Sequence, residues 1–166
     1  LGRDYHRVLK KRITLFIEIL KSELNTDFNA RSFSDAVPIL ERSIAKKANL
    51  GFIGKNTMLI HAKQGSFSFL AEVLIDIEVK SPRLSIRDNI SCGSCSRCLN
   101  ACPTNAFESP FNLNAKKCIS YLTIEKKGNF NIKESSMLNE WVFGCDICQE
   151  VCPFNHRVLK DSKIND

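Results

Sequence analysis

Cys92-Gly-Ser-Cys95-Ser-Arg-Cys98-Leu-Asn-Ala-Cys102-Pro103 and Cys145-Asp-Ile-Cys148-Gln-Glu-Val-Cys152-Pro153 hold seven of the eight cysteines of this 166-residue chain. The first stretch follows the C-x2-C-x2-C-x3-C-P spacing, in which closely spaced thiolates wrap one corner of an iron–sulfur cubane. The second is the same run short of one cysteine. Cys118 is the only thiol left to complete it, and the eight then divide into two four-thiolate sites with no remainder.

In two-cluster modules of this spacing, the last cysteine of each run ligates the cluster of the other run. One site is therefore expected from Cys92, Cys95, Cys98 and Cys152, and the other from Cys145, Cys148, Cys118 and Cys102. Pro103 and Pro153 follow the crossing cysteines; lacking an N–H to satisfy, they suit a chain turning away from a buried group. Three closely spaced cysteines closed by Cys-Pro argue against zinc, whose sites use separated cysteine pairs. No stretch reads as a secretory signal, so an oxidising compartment and a disulfide framework are not expected, and the expected location is cytoplasmic.

Composition sets looser bounds. With 43% hydrophobic and 25% charged residues the chain is globular, and its length fits one ordinary domain or two small ones. No apolar stretch approaches the ~18 residues of a membrane span; Thr14 to Leu20 is short and carries Glu18. The formal charge of +6 counts the thiols as neutral. Eight thiolates and two oxidised cores bring the loaded protein nearer about +2, so overall basicity says little about nucleic acid. The pairs Lys116-Lys117 and Lys126-Lys127 flank Cys118 and read as solvated surface.

Along the chain, Tyr5 to about Leu24 has the three-and-four spacing of an amphipathic helix, ended by Asn25-Thr26-Asp27. Phe28 to Phe33 reads as a short strand. Pro38 suits a helix's first turn, with helix formers from Ile39 to about Leu50 before Gly51. Thr57 to Ala62 and Phe67 to Ile77 read as strands around a Gln64-Gly65 turn, with a helix over Phe69 to Val73 an equal alternative in the second segment. Composition changes after Ser81-Pro82, which places a boundary near residues 80–90.

Four segments outside the cysteine runs carry a resemblance. They are Gly2-Arg3-Asp4-Tyr5-His6, Asp35-Ala36-Val37-Pro38-Ile39-Leu40-Glu41-Arg42, Gly51-Phe52-Ile53-Gly54-Lys55-Asn56-Thr57, and Cys118-Ile119-Ser120-Tyr121-Leu122-Thr123-Ile124-Glu125. With the cysteine runs they resemble the epoxyqueuosine reductase family, which uses cobalamin and iron–sulfur clusters to complete the queuosine modification of the tRNA anticodon. The resemblance reaches to about Val158 and implies the central portion of such an enzyme. Family members begin well before the Gly-Arg-Asp-Tyr-His segment and many carry helical repeats after the clusters. The implied fold is α+β: residues 1–85 as the carboxy-terminal part of an α/β cobalamin-binding catalytic domain, 86–160 as a ferredoxin-like double [4Fe-4S] domain, and 161–166 as a tail.

The same resemblance implies residue roles. Asp35 matches the proton-donating aspartate, a role that suits a carboxylic acid beside an opening epoxide; a residue of its type before Pro38 also serves as a helix cap. Asn56 is implied as a hydrogen-bond partner of a corrin amide, and Ser120, two positions after a cluster ligand, as lying between cluster and corrin. Glycines and a lysine in 51–57 lack the spacing of a phosphate loop. His6, His61 and His156 are too scattered for a metal site, and Trp141 and Phe143 read as packing against a cluster. The implied cofactors are two [4Fe-4S] clusters and cobalamin. The implied partners are tRNA carrying epoxyqueuosine, an external electron donor and a separately encoded amino-terminal segment, with no membrane and a monomeric state. The alternative is a ferredoxin-type electron carrier without a substrate of its own, for which the residues before Cys92 have no evident use.

Overall fold

Asp4 starts the first helix: its carboxylate accepts the His6 amide at 3.0 Å, occupying a donor that the helix itself cannot pair. In the computed structural model, which describes residues 2–35, 37–80 and 90–162, this helix (α1) spans Tyr5–Leu24 as its periodicity predicts. Asn25 closes it in the left-handed region, φ 47°, with its N–H turned back onto the Lys21 and Ser22 carbonyls. No residue of α1 is buried, and Leu15, Phe16 and Ile19 remain about half exposed.

The chain divides into two compact units, the first built from residues 1–48 and 68–86 and the second from 49–67 and 87–166. In the first, strand β1 (Ala30–Phe33) pairs antiparallel with β4 (Glu72–Ile75), Ala30 opposite Ile75 and Phe33 opposite Glu72. Asn29 extends the pairing through its backbone N–H and side-chain amide, both donating to the Asp76 carboxylate at 2.8 and 2.7 Å. Helix α2 spans Glu41–Lys47 and begins after Pro38 rather than on it; before it Asp35 takes a left-handed φ of 56°, and residues 37–40 are not helical.

The second unit opens with the hairpin β2 (Phe52–Ile53) and β3 (Leu59–Ile60). The expected pairing across Gln64-Gly65 is thus replaced: β3 pairs backward with β2, and β4 pairs with β1. The turn itself exists, closed by a His61–Gly65 bridge, but the residue after it is captured. Asn155, fully buried, accepts the Ser66 N–H through Oδ1 at 2.7 Å and donates Nδ2 to Ser66 Oγ and the Gln149 carbonyl. Ser66 therefore belongs to the cysteine-rich unit, and the next strand starts only at Glu72.

The expected division at 85/86 lies outside the described residues, whereas segment 49–67 joins the cysteines instead of the amino-terminal unit. The rest of this unit holds α3 (Arg97–Ala101), hairpin β5 (Phe107–Ser109) and β6 (Asn112–Leu113), α4 (Ile132–Leu138), α5 (Ile147–Glu150) and α6 (His156–Ser162). Between β6 and α4 the chain winds a π turn over Tyr121–Glu125, closed by Lys126 N–H on the Tyr121 carbonyl at 3.0 Å. Its core gathers Ile119, Leu122 and Leu138, with Met137, Trp141 and Cys145 packed against them. The expected mixture of helix and sheet is borne out, and among the described residues no helix is long and apolar enough to cross a membrane.

Candidate metal centres and the Asp35 loop

The two cysteine runs fold alike. Each crosses a short helix, α3 or α5, and ends on a cysteine in extended conformation: Cys102 at φ −66°, ψ 115° and Cys152 at φ −74°, ψ 125°. Each proline follows where the chain leaves the helix, and Pro153 opens a single 3-10 turn, Pro153–Asn155. Proline's fixed φ and missing donor fit that exit.

The thiols interact in two groups. Cys98 lies in the field of Cys92 and Cys152, and Cys152 in that of Cys92 and Cys95. Cys145 lies in the field of Cys118 and Cys102, and Cys148 in that of Cys118, Cys145 and Cys102, with Cys98 beyond. A largely apolar cavity is lined by Cys102, Cys118, Cys145 and Cys148 together with Pro103, Ala106, Ile119 and Ile147. Burial first, and then the neighbouring thiols, pushes Cys148 up to about 12; burial also leads the upward shifts of Cys98, Cys145 and Cys152. Four thiolates cannot remain ionised there without positive charge among them, which an iron core brings while displacing their protons. Among the described residues no three His, Cys, Asp or Glu side chains converge as one metal ion requires; a zinc ion with ~2.3 Å bonds gathers its sulfurs far more tightly than a cubane.

Hairpin β2–β3 braces the first run. Gly51 and Gly54 permit its close return: a Cβ at Gly51 would lie 2.4 Å from the Ile60 carbonyl oxygen, and one at Gly54 2.5 Å from Ile60 Cδ1. The turn delivers Lys55, whose N–H donates to Cys92 Sγ at 3.4 Å and whose ammonium donates to the Gly93 and Cys95 carbonyls at 2.7 Å each. Asn56 is 3% exposed; its Nδ2 donates to the Cys148 carbonyl at 3.2 Å and its Oδ1 accepts the Met58 N–H. Each end of the Asn56 side chain thus has one partner inside the cysteine unit.

Around the second group, Cys102 Sγ accepts the Ala106 N–H at 3.3 Å and lies 3.6 Å from the Thr104 hydroxyl. Ser120 borders an open cavity with Ile124, Trp141, Phe143, Cys145 and the carboxylates of Asp146 and Glu150. Trp141 packs against the hydrophobic core of Ile119, Leu122 and Leu138, and Phe143 is 73% exposed. Lys126 of the basic pair is held by Glu134 at 3.4 Å and donates to the Asn129 carbonyl.

Asp35 belongs to the first unit and is exposed. It does not cap α2, whose N-cap, Leu40, makes no side-chain bond. Instead the Asp35 N–H donates to Glu41 Oε1 at 2.8 Å, and the Tyr5 hydroxyl donates to Asp35 Oδ2 at 2.6 Å. Tyr5 is stacked on Phe69, ring centroids 4.1 Å apart, and on His6 at 4.0 Å. Its phenol is pushed up to about 12, chiefly by the bond to Asp35. Behind the loop, burial raises Glu72 to about 7, helped by Glu41 and Asp35, and its Oε2 is buried without a hydrogen-bond partner. Sequence reasoning missed the roles of Tyr5, Lys55, Glu72 and Asn155. Tyr5 and Lys55 stood inside the segments that carried the resemblance, whereas Glu72 and Asn155 had no sequence signal.

Residues 91–155 match the family described as a 4Fe-4S double cluster binding domain. Over 155 residues the chain is 46% identical to an epoxyqueuosine reductase of Pseudomonas aeruginosa, covering 93% of this chain and 42% of that protein. The chain is a homologue of part of epoxyqueuosine reductase. Two solved reductases agree, each matched over 93% of this chain and 40% of its own. One, with an epoxyqueuosine-modified tRNA-Tyr stem loop, gives a TM-score of 0.79 at 38% identity. The other, from Bacillus subtilis with its catalytic aspartate loop swung out of the active site, gives 0.72 at 35%. The chain thus spans about two fifths of the length of these reductases.

Proposed function

We propose that this chain is the part of an epoxyqueuosine reductase that carries the two clusters and the proton donor, acting on epoxyqueuosine in a tRNA anticodon. The observation that carries this reading is the joint presence of two four-thiol groups and a tethered aspartate loop in one reductase-like chain. We assign one [4Fe-4S] cluster to Cys92, Cys95, Cys98 and Cys152, and the other to Cys102, Cys118, Cys145 and Cys148. A ferredoxin-type carrier would need the thiols but has no use for the Tyr5–Asp35–Glu41 arrangement.

The overall change takes an epoxide, two electrons and two protons to an alkene and water. Breaking the C–O bond leaves an alkoxide, and we assign its protonation to Asp35, whose exposed carboxylate would first take up a proton from solvent. Glu41 holds the Asp35 backbone and Tyr5 its carboxylate, so the acid keeps one orientation. Cys98 and Cys152 are buried and the other six thiols half-buried, so they would hold the iron cores partly screened from water. Cobalamin, when bound, supplies the reducing centre for the epoxide carbon. Ser120, on the rim of an open cavity beside Cys145, is the residue suited to face a corrin; the engaged Asn56 instead supports the Cys148 loop.

The reading is tested with the protein reconstituted with iron, sulfide and cobalamin, alone and with the amino-terminal segment of a reductase added in trans. Epoxyqueuosine-bearing tRNA, a chemical reductant and nucleoside analysis report the product. Conversion to queuosine under either condition supports the assignment. Cluster reduction without conversion in both would favour the electron-carrier reading.

A further inference from the structure

The Lys55 ammonium is hydrogen-bonded to the first cysteine run, whose own cation, Arg97, is exposed at the start of α3. The Lys55 main chain is fixed on both sides: the N–H donates to Cys92 Sγ at 3.4 Å and the carbonyl accepts the Phe111 N–H at 2.9 Å. The Gly54–Met58 and Thr57–Gly54 hydrogen bonds, 2.8 and 2.9 Å, close the turn that presents it. Its ammonium reaches the Gly93 and Cys95 carbonyls, two backbone oxygens of the loop carrying Cys92 and Cys95. No carboxylate among the described residues forms an ion pair with it; its partners there are the two carbonyl oxygens.

The second thiol group has different surroundings. Cys102 Sγ, like Cys92 Sγ, meets neutral donors, the Ala106 N–H and the Thr104 hydroxyl, and the cations nearest in sequence, exposed Lys116 and half-buried Lys117 before Cys118, show no side-chain hydrogen bond to the loop of a second-set cysteine among the described residues. The carboxylates of Asp146 and Glu150 border the open cavity beside Cys145. Reduction adds one electron to a cluster, and nearby charge together with hydrogen bonds to sulfur decides how readily it is accepted. A fixed cation favours the reduced state, and carboxylates disfavour it.

We propose that Lys55 sets the reduction potential of the cluster on Cys92, Cys95, Cys98 and Cys152 above that of the cluster on Cys102, Cys118, Cys145 and Cys148. A single electron from an external donor then rests on the Cys92 cluster, and the other is reduced second. The inference rests on the ligand sets assigned above and concerns both clusters whether or not tRNA is the substrate.

The test is a redox titration of the reconstituted full chain followed by electron paramagnetic resonance. Cys118→Ala, which removes a ligand of the second set only, identifies the signal of the first. Two distinct midpoints are expected in the wild type, with the higher one persisting in Cys118→Ala. Lys55→Gln keeps a donor but loses the charge; at a fixed potential it should lower the reduced-to-oxidised ratio of the first cluster tenfold or more, about 59 mV for a one-electron couple. Lys55→Arg should retain the wild-type value. Equal midpoints, a lower midpoint in Cys118→Ala, or an unmoved first cluster in Lys55→Gln each overturns the proposal, as does an Arg variant that falls as far as Gln. If Lys55→Gln fails to assemble the cluster, the order of the wild-type midpoints decides. Failure of the wild type to take up iron would instead overturn the cluster assignment itself.

Discussion

Tyr5, on the first turn of α1, donates its hydroxyl to Asp35 Oδ2 at 2.6 Å across 30 residues of sequence. Together with the Glu41 bond to the Asp35 N–H, it tethers the loop that carries Asp35. The phenol is both the restraint on the carboxyl and a reporter of its state.

Tyr5 ionises near 12 because its proton is held by a carboxylate whose charge also opposes a phenolate. Asp35→Asn removes that charge, so the phenol should move down toward the ordinary value of about 10. Tyr5 and Tyr121 are the only tyrosines, which makes the ultraviolet titration of phenolate directly readable. An unchanged titration curve in Asp35→Asn would show that the bond is not formed in solution.

Asp35→Asn also keeps the shape of the proposed acid but cannot take up a proton and pass it on. Loss of a positioned general acid costs about 10²–10⁴ in rate. Single-turnover reduction of epoxyqueuosine tRNA by the active assembly should fall by that factor with cluster content unchanged. Near-normal turnover would move the proton donor elsewhere.

Iron and acid-labile sulfide should each approach about eight per chain after anaerobic reconstitution, four for each cubane. Cys118→Ala should lose the cluster held with Cys145 and Cys148 and keep the other. Loss of the Cys92 cluster instead would reverse the assignment of the two ligand sets.

Glu72 contributes to the pH dependence of stability. Burial raises its folded-state value to about 7 from 4.5, so the folded state holds the proton more tightly than the unfolded chain. Its contribution is fully present below about 4.5 and is lost as pH rises through about 7. Glu72→Gln should therefore flatten the fall in stability over this range and make the variant the more stable protein at pH 8. Denaturant midpoints at pH 5 and pH 8 measure the difference; parallel curves for the two proteins would contradict it.

Gly65→Ala should be costly. Gly65 has a φ of 70°, and a Cβ there would sit 1.9 Å from Asn155 Oδ1, the acceptor that binds Ser66. Backbone strain and a disturbed buried hydrogen bond together cost about 1–3 kcal/mol. Chemical denaturation reads this directly, and a loss below about 0.5 kcal/mol would show that the turn is not clamped by Asn155.

Local features were legible in the sequence because neighbouring residues set them. The three-and-four spacing of Val8, Ile13, Phe16, Ile17 and Leu20 defines α1, and the cysteine spacing with Cys-Pro endings brings thiolates together within a few residues of chain. The order of the reductase-like segments pointed to the homologues. Tertiary structure decided what depends on partners far along the chain. Phe67 to Ile77 has strand composition, but Ser66 before it is bonded to Asn155, 89 residues away, and Glu72–Ile75 pairs with Ala30–Phe33 instead of across Gln64-Gly65. Asn56 reads as a free polar loop residue until the hairpin buries it on the Cys148 carbonyl. Asp35 looks like a helix cap until Tyr5 and Glu41 reach it from two other elements. Spacing along the chain fixes which groups are near one another within a turn or two, whereas burial and long-range hydrogen bonds fix which of them are already occupied.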